Sequence, residues 1–317
     1  MNSKQWWTAA LASGLLALGF GACGDDDDGG DGGGGDASGS IAIDGSSTVQ
    51  PFAEAAAELF AEENPDVSIN VGAAGTGGGF EKFCAGETDI SDASREIESD
   101  EEKACEKGGV QFNAVQIAND GIAVVTNKAL AVDCLTTDEL KQIWNKGSKV
   151  KSLADVKPDL PDTQLSLYGP GTDSGTFDFF TDVINGEEGV TREDYEPSED
   201  DNQLVTGVEG DDGGLGYFGF SYYEGAQDQL NLVGVDSGGG CVKPSTETIQ
   251  DGSYKPLSRP LFMYPSSKGI ARPEVKAFLD FVVANQKDIA EASKIVPLTD
   301  EQATKAKSDL QSAEQGS

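Results

Sequence analysis

The stretch SIAIDGSSTVQPFAEAAAELFAEE, residues 40–63, contains in one place the parts from which we expect the fold to be built. Residues 40–43 have the short apolar pattern of a strand, 44–48 form a polar loop rich in hydroxyls, and 52–63 have the apolar spacing of a helix. We expect this helix to end before Pro65. A strand, a loop and an amphipathic helix in this order form the repeating unit of parallel α/β sheets.

The same unit recurs at two further places in the chain. Its strands, loops and helices are predicted at 67–71, 75–79 and 80–85, and again at 165–168, 169–173 and 176–184. This alternation indicates an α/β protein. In such sheets ligands bind beyond the carboxyl ends of the strands, where these loops lie.

The remaining pattern indicates two lobes. Residues 121–127 include the apolar run 122–125 and have the pattern of a strand that crosses from one lobe to the other. We therefore expect lobe one to comprise 41–127 and 245–317, and lobe two to comprise 128–244.

The N-terminal residues predict export and lipidation. Residues 1–23 contain Lys4, then an apolar run, then Gly21-Ala22-Cys23, which is the pattern of a secretory signal. The end of this segment resembles the lipobox of bacterial lipoproteins and predicts Cys23 as the acylated N-terminus; an ordinary signal peptide or an uncleaved anchor is the alternative. Residues 24–40 are rich in Gly and Asp, which predicts a flexible tether.

The composition excludes one kind of partner. The chain has 56 acidic and 22 basic residues and a formal net charge of −34, so its surface repels nucleic acid. We expect a monomer without a nucleic-acid partner. Adaptation to high salt is a hypothesis that would explain such an acidic surface.

The motifs of catalysis and cofactor binding are missing from the sequence. The chain has no histidine, so a Ser-His-Asp or Cys-His arrangement is not available. Ser174 lies in G-T-D-S-G and not in G-x-S-x-G, and neither a Walker lysine nor a complete G-x-G-x-x-G accompanies the glycine-rich loops. We therefore expect a protein that is not an enzyme, with no cofactor and no metal site.

The cysteines predict two disulfides. Five cysteines become four if Cys23 is acylated, and an even number in an exported protein favours disulfides. Cys84 and Cys105 are close in sequence, whereas Cys134 and Cys241 are far apart. We expect those two pairings, although the sequence leaves the connectivity open.

Three loops at predicted helix starts suit an anion. They are GSSTV at 45–49, GTGGG at 75–79 and TDSGT at 172–176. The first turn of a helix has unpaired N–H groups and the positive end of the dipole, and Ser and Thr add neutral donors. Any one of these loops alone is more often a simple capped helix, so the prediction depends on all three.

A fourth segment, TDISDASRE at 88–96, brings a carboxylate, hydroxyls and an arginine together after the second loop. Arg95 is one of only four arginines in the chain. Taken alone, Asp92 would be interpreted as a surface acid or a helix cap.

These segments together resemble one known family, the phosphate-binding proteins of the phosphate-specific ABC transporters. The ordered motifs are GSSTVQPF, GTGGGFEKFCAGETDISDASREI, YGPGTDSGTFDFF, SEDDNQLVTGVEGDDGGLGYFGFSYY, CVKPS and YKPLSRPLFMY. The resemblance covers nearly all of 41–285. It implies a type II-like periplasmic-binding-protein fold, in which two α/β lobes joined by crossing hinge strands close over phosphate.

The resemblance also implies a set of phosphate-binding residues: Ser47, Thr48, Val49, Thr76, Asp92, Ser174, Gly175 and Thr176. Many family members have an arginine four residues before the serine that matches Ser174, and this chain has Pro170 there. A second pattern in the family has Ser-Arg after the aspartate, as Ser94-Arg95 does here. We therefore expect Arg95 to supply the positive charge.

The aspartate gives a physical reason for choosing phosphate over sulfate. Phosphate retains a proton at neutral pH and can donate it to Asp92, whereas sulfate has none. A buried site that requires such a hydrogen bond rejects a ligand lacking it by roughly 10⁴–10⁵.

The resemblance implies a function and leaves alternatives open. It implies an extracytoplasmic lipoprotein, in the periplasm or on the outer face of the cell membrane, that binds inorganic phosphate and delivers it to ABC permease subunits. The alternatives are a binder of arsenate, a phosphate-sensing lipoprotein and, less favoured, a phosphate-ester hydrolase. The segment 198–202 matches a family motif and is expected to lie at the cleft rim.

Overall fold

The structure is a computed structural model and describes residues 38–315. The predicted signal segment, Cys23 and nearly all of the predicted tether lie outside the described residues. Within residues 38–315, no helix is both long and apolar enough to cross a membrane.

The strands are β1 Gly39–Gly45, β2 Val67–Val71, β3 Ile90–Ala93, β4 Val115–Asn127, β5 Cys134–Thr136, β6 Ser166–Pro170, β7 Glu196–Ser198, β8 Gly214–Gly219, β9 Leu230–Asp236, β10 Cys241–Val242 and β11 Ser258–Pro265. The helices are α1 Gln50–Glu63, α2 Gly75–Cys84, α3 Ser99–Gly108, α4 Thr137–Trp144, α5 Gly175–Phe180, α6 Asp201–Gly210, α7 Phe220–Glu224, α8 Thr246–Gln250, α9 Ser267–Ile270, α10 Pro273–Ala292 and α11 Asp300–Gln315. The predicted alternation of strands and helices is confirmed.

One mixed sheet runs through the chain in the order β2-β1-β3-β11-β4-β8-β6-β7, with β9 also paired to β4. In β4, the residues up to Gly121 pair with β11, and those from Ile122 onward pair with β8 and β9. The predicted crossing strand is therefore present, and it begins earlier, at Val115. Because β4 belongs to both halves of the sheet, it joins them.

The predicted loop at 169–173 begins later, because β6 continues to Pro170, and the loop predicted at 75–79 was wrong. Residues 75–79 were expected to form a loop, and they are the first turns of α2. Three adjacent glycines favour a loop by propensity, but tertiary contact prevails here. A Cβ on Gly79 would come within 2.5 Å of Gly45 Cα, so glycine lets α2 pack closely against the end of β1.

Two large apolar clusters form the core. The first contains Phe52 of α1 and Phe278 of α10, and the second contains Trp144, Phe180 and Tyr217. The division of the chain into lobes stays a prediction. The second cluster also includes the core residues Ile122, Ala123, Val124, Val125, Ile249, Tyr254 and Leu257, which the predicted boundaries assign to lobe one.

The disulfides are those expected from the sequence. Cys84 in α2 is bonded to Cys105 in α3, and Cys134 in β5 is bonded to Cys241 in β10. The first bond fastens α3 to α2, the helix that begins with the predicted anion-binding segment 75–79. The second closes a sequence separation of 107 residues.

Candidate anion site

A cavity of about 730 Å³ opens at the carboxyl ends of β1, β3 and β6. It is bounded by the loop before α1, by the first turn of α2 and by the first turns of α5, which come from both halves of the sheet. The lining residues are Ser46, Ser47, Thr48, Ala74, Gly75, Thr76, Gly77, Gly78, Ser94, Arg95, Glu96, Gly175, Asp178, Phe179, Asp182, Val183, Glu188, Arg259 and Pro260. Five of the predicted ligand residues are in this set: Ser47, Thr48, Thr76, Arg95 and Gly175.

The loop before α1 presents unpaired donors. Ser46 N–H donates to Asp92 O at 2.9 Å, which fixes the loop on β3. Ser46 O then accepts from Val49 and Gln50 at 3.1 and 3.0 Å, so the chain turns into α1. Among the described residues, the N–H groups of Ser47 and Thr48 have no hydrogen-bond partner. Such donors at a helix start are the elements of an anion site.

The first turn of α2 contributes Thr76. Its hydroxyl oxygen accepts from Ser94 N–H at 3.2 Å and lies 3.1 Å from Ser94 Oγ. Because this oxygen already accepts a hydrogen bond, its own proton can be directed to a ligand. Ser94 was not among the predicted ligand residues, yet it lines the cavity at the end of β3.

The third predicted loop caps α5. Ser174 Oγ accepts from Thr176 N–H at 3.2 Å, as an N-cap does. Gly175 lines the cavity, while Ser174 and Thr176 are half-buried beside it. The structure therefore brings one residue of this triplet to the cavity directly.

Val49 and Asp92 are both fully buried and lie outside the cavity lining. Neither carboxylate oxygen of Asp92 has a hydrogen-bond partner among the described residues. Burial raises the pKa of Asp92 well above its usual range, and the charge of Asp44 raises it further. The role of Asp92 as a phosphate acceptor stays a prediction, and the structure supplies the buried, unpaired carboxyl that this role requires.

Arg95 lines the cavity but is engaged elsewhere. Its two terminal nitrogens donate to the two carboxylate oxygens of Glu101, each at 2.8 Å, and its Nε lies 3.4 Å from Glu98. Its side chain is 38% exposed. The hydrogen bond to Glu101 raises the pKa of Arg95, so the guanidinium stays charged and paired.

Sequence reasoning missed Arg259, the arginine of the SRPLFMY motif in β11. Its Nη2 donates to Thr48 Oγ1 at 2.6 Å and to Gly175 O at 3.2 Å, so it contacts the loops of both halves. Its Nε donates to Asp120 at 3.2 Å, and its guanidinium lies 3.7 Å above the ring of Phe179. The scarcity of arginine in the chain and the family-like motif YKPLSRPLFMY were the signals that pointed to it.

The wall opposite Arg95 is acidic. Asp178, Asp182 and Glu188 line it, and Ser47 Oγ donates to Asp178 at 3.5 Å across the cleft. Burial and the charge of Glu188 raise the pKa of Asp178. A bare multivalent anion is repelled from this wall, and a protonated one is repelled less.

These features define the class of protein. Hydroxyls, unpaired backbone N–H groups and one buried guanidinium line a cavity between two halves of a sheet that share a crossing strand. Such a cavity can hold a small anion by hydrogen bonds, and the histidine-free sequence offers no catalytic triad. The fold and the cavity are those of a two-lobed solute-binding protein.

The comparisons with known proteins agree with this class. Residues 32–286 match a family model described as a PBP superfamily domain. The phosphate-binding protein PstS of Staphylococcus saprophyticus is 38% identical and aligns over 97% of this chain and 94% of its own.

Two solved structures are similar over most of the chain. A possible phosphate-binding protein of Planctomyces limnophilus has 40% identity and a TM-score of 0.83, covering 88% of this chain and 99% of its own. A putative phosphate ABC transporter substrate-binding protein of Clostridium perfringens, solved with bound phosphate, has 28% identity and a TM-score of 0.58. It covers 82% of this chain and 100% of its own. The chain belongs to the PstS family of the PBP superfamily and has its type II-like fold.

Proposed function

We propose that this chain is an extracytoplasmic receptor that captures inorganic phosphate and delivers it to an ABC importer. The observation that carries the proposal is the meeting of the loop before α1, the start of α2 and Gly175 at one cavity, in a member of the PstS family. Similar proteins are named as phosphate-binding proteins, which supports phosphate as the anion.

The donors can offset the dehydration of phosphate. Thr48 and Thr76 offer hydroxyls, and the N–H groups of Ser47 and Thr48 are unpaired. Hydrogen bonds to a charged group are worth about 1.5–3 kcal/mol each. Several of them would reach about −8 kcal/mol, which corresponds to a micromolar Kd.

Release and delivery require that the halves can separate. Ser47 and Thr48 precede α1, whose Phe52 belongs to the first core cluster, whereas Gly175 and Asp178 lie in α5, whose Phe180 belongs to the second. Opening about β4 and β11 would expose the anion to a permease. Acylation of Cys23 would hold the receptor at the membrane, and this anchor is part of the proposal.

Titration calorimetry of the purified protein without its signal segment tests the proposal. We expect phosphate to bind with a Kd in the micromolar range or tighter and sulfate to bind at least about 10³ times more weakly. Absence of phosphate binding would remove the proposed function. Equal binding of arsenate would leave the receptor class intact and show that the site selects the protonated tetrahedral anion.

Incubation with a chromogenic phosphate ester separates the receptor from a hydrolase. We expect no release of the chromophore above the rate without protein. Hydrolysis that survives repeated purification would favour the enzyme alternative.

A further inference from the structure

Arg259 differs from the other three arginines in how its guanidinium is paired. Each of the other arginines has its guanidinium held by carboxylates on two or more nitrogens. Arg95 is held by Glu101 and Glu98, Arg192 by Asp194, and Arg272 by Asp89 and Glu274. Arg259 is paired with a carboxylate only through Nε, to Asp120.

The remaining nitrogens of Arg259 are directed at the anion site. Nη2 donates to Thr48 Oγ1 and to Gly175 O, and Nη1 has no hydrogen-bond partner among the described residues. The side chain is 13% exposed, and that exposure is to the cavity that it lines. A buried guanidinium with one unpaired nitrogen needs an acceptor, because an unpaired buried donor costs free energy.

The contact with Thr48 prepares the hydroxyl for an anion. Thr48 Oγ1 accepts from Arg259, so the hydroxyl proton is left to be donated to a ligand. The contact with Gly175 O, in the first turn of α5, holds the opposite half of the cavity. The flat face of the guanidinium packs on Phe179 and restricts its rotation.

The position of Arg259 in the sheet gives it access to both halves. It lies on β11, opposite Asp120 in the part of β4 just before Gly121. β11 pairs with β3 on one side and β4 on the other, so this arginine lies where the halves meet. A cation there can contact the loops of both halves and an anion held between them.

We propose that Arg259, and not Arg95, supplies the positive charge to the bound anion and fastens the loop before α1 to the start of α5 around it. This inference rests on the proposed function, because it assigns a residue to the same phosphate site. A forked guanidinium is required, since one nitrogen contacts the two loops while the other contacts phosphate.

Calorimetry with inorganic phosphate on three single variants tests the inference. Arg259→Lys keeps the charge and removes the fork, and we expect phosphate to bind at least about 10 times more weakly than to the wild type. Arg272→Lys removes a fork outside the cavity, and its Kd is expected to equal that of the wild type. Arg95→Ala is expected to weaken binding less than Arg259→Lys does.

A double variant that removes the charges of both Arg259 and Asp120 tests the role of the positive charge. Arg259→Gln combined with Asp120→Asn leaves no buried charge unpaired, and we expect phosphate binding to weaken at least about 30-fold. Far-UV circular dichroism and thermal unfolding without phosphate show whether each variant is folded. If the double variant does not fold, Arg259→Lys decides alone.

The outcomes separate this inference from the proposed function. A wild-type Kd in Arg259→Lys, or a larger loss in Arg95→Ala than in Arg259→Lys, would overturn the assignment of Arg259 while phosphate binding stands. A wild-type protein that does not bind phosphate would instead overturn the proposed function.

Discussion

At the scale of single residues, Asp92 is a buried carboxyl whose oxygens have no hydrogen-bond partner within residues 38–315. Its folded pKa lies above its usual range, so between the unfolded pKa of about 3.9 and the raised folded pKa the folded chain holds a proton that the unfolded chain has lost. The contribution of Asp92 to stability therefore falls as pH rises through this window. Above the folded pKa the full cost of the buried charge is present.

Asp92→Asn removes this titration. We expect the difference in unfolding free energy, variant minus wild type, to increase as pH rises from about 4 to 8 in the absence of phosphate. Urea unfolding of both proteins at a series of pH values measures the difference. A difference that does not change with pH would show that Asp92 does not titrate in this way. At a pH where Asp92 is ionised, the same variant should also reject sulfate less strongly, because its amide can donate to sulfate and a carboxylate cannot. Calorimetry with both anions checks this.

At Gly175 the two halves are in close contact. A Cβ there would lie 2.2 Å from Thr48 Oγ1 and 2.4 Å from Thr48 N, so Gly175→Ala is expected to hold the cleft partly open. Phosphate affinity falls in proportion to the closed fraction, and we expect a loss of at least about 10-fold. Gly210→Ala in α6 is the matched control, because a Cβ there meets nothing within 4 Å. Calorimetry with phosphate measures both, and equal affinities would contradict the prediction.

At the scale of elements, the sequence predicted strands and helices well where one face is apolar. The predicted strand at 67–71 coincides with β2, and the predicted helix at 52–63 lies within α1. Both depend on local signals: the apolar pattern marks the buried face, and Pro65 ends the helix before it. The glycine run at 75–79 was assigned wrongly, since its close packing on β1 is decided by residues distant in sequence.

The candidate site was predictable in part for the same reason. Loop composition identified Ser47, Thr48 and Thr76, which belong to local helix starts. Arg259 lies 211 residues from Thr48, and only the pairing of β11 with β3 and β4 brings the two together. No local pattern contains that contact. Arg95 was chosen because a second pattern in the family has Ser-Arg after the aspartate, whereas Glu98 and Glu101 at the start of α3 hold its guanidinium here.

The disulfides fasten different elements and are expected to differ in strength. Cys134–Cys241 joins β5 to β10 across 107 residues, whereas Cys84–Cys105 joins α2 to α3 across 21. In the chain-entropy model the longer loop contributes about 4–5 kcal/mol and the shorter about 3 kcal/mol. Urea unfolding of the two double Cys→Ser variants measures this, and we expect the larger loss for the 134/241 pair. The opposite order would show that native packing, and not chain entropy, decides the effect.

At the scale of the whole molecule, the net charge of −34 opposes folding by self-repulsion. The Debye length falls from about 30 Å at 0.01 M salt to about 3 Å at 1 M. We expect the unfolding free energy to rise with KCl and to level off once neighbouring charges are screened. Urea unfolding at a series of KCl concentrations checks this. Indifference to salt would remove the hypothesis of adaptation to high salt.

The same charge acts on the ligand before it reaches the cavity. Phosphate is an anion, so the acidic surface and the wall of Asp178, Asp182 and Glu188 slow its approach. Screening removes this repulsion, whereas the short contacts inside a closed cleft are screened much less. We therefore expect the association rate of phosphate to increase with KCl while the dissociation rate changes little. Stopped-flow fluorescence of the purified protein at several KCl concentrations measures both rates. An association rate that falls with salt, as for an attracted ligand, would show that a local positive potential from Arg259 and Arg95 outweighs the acidic surface at the entrance.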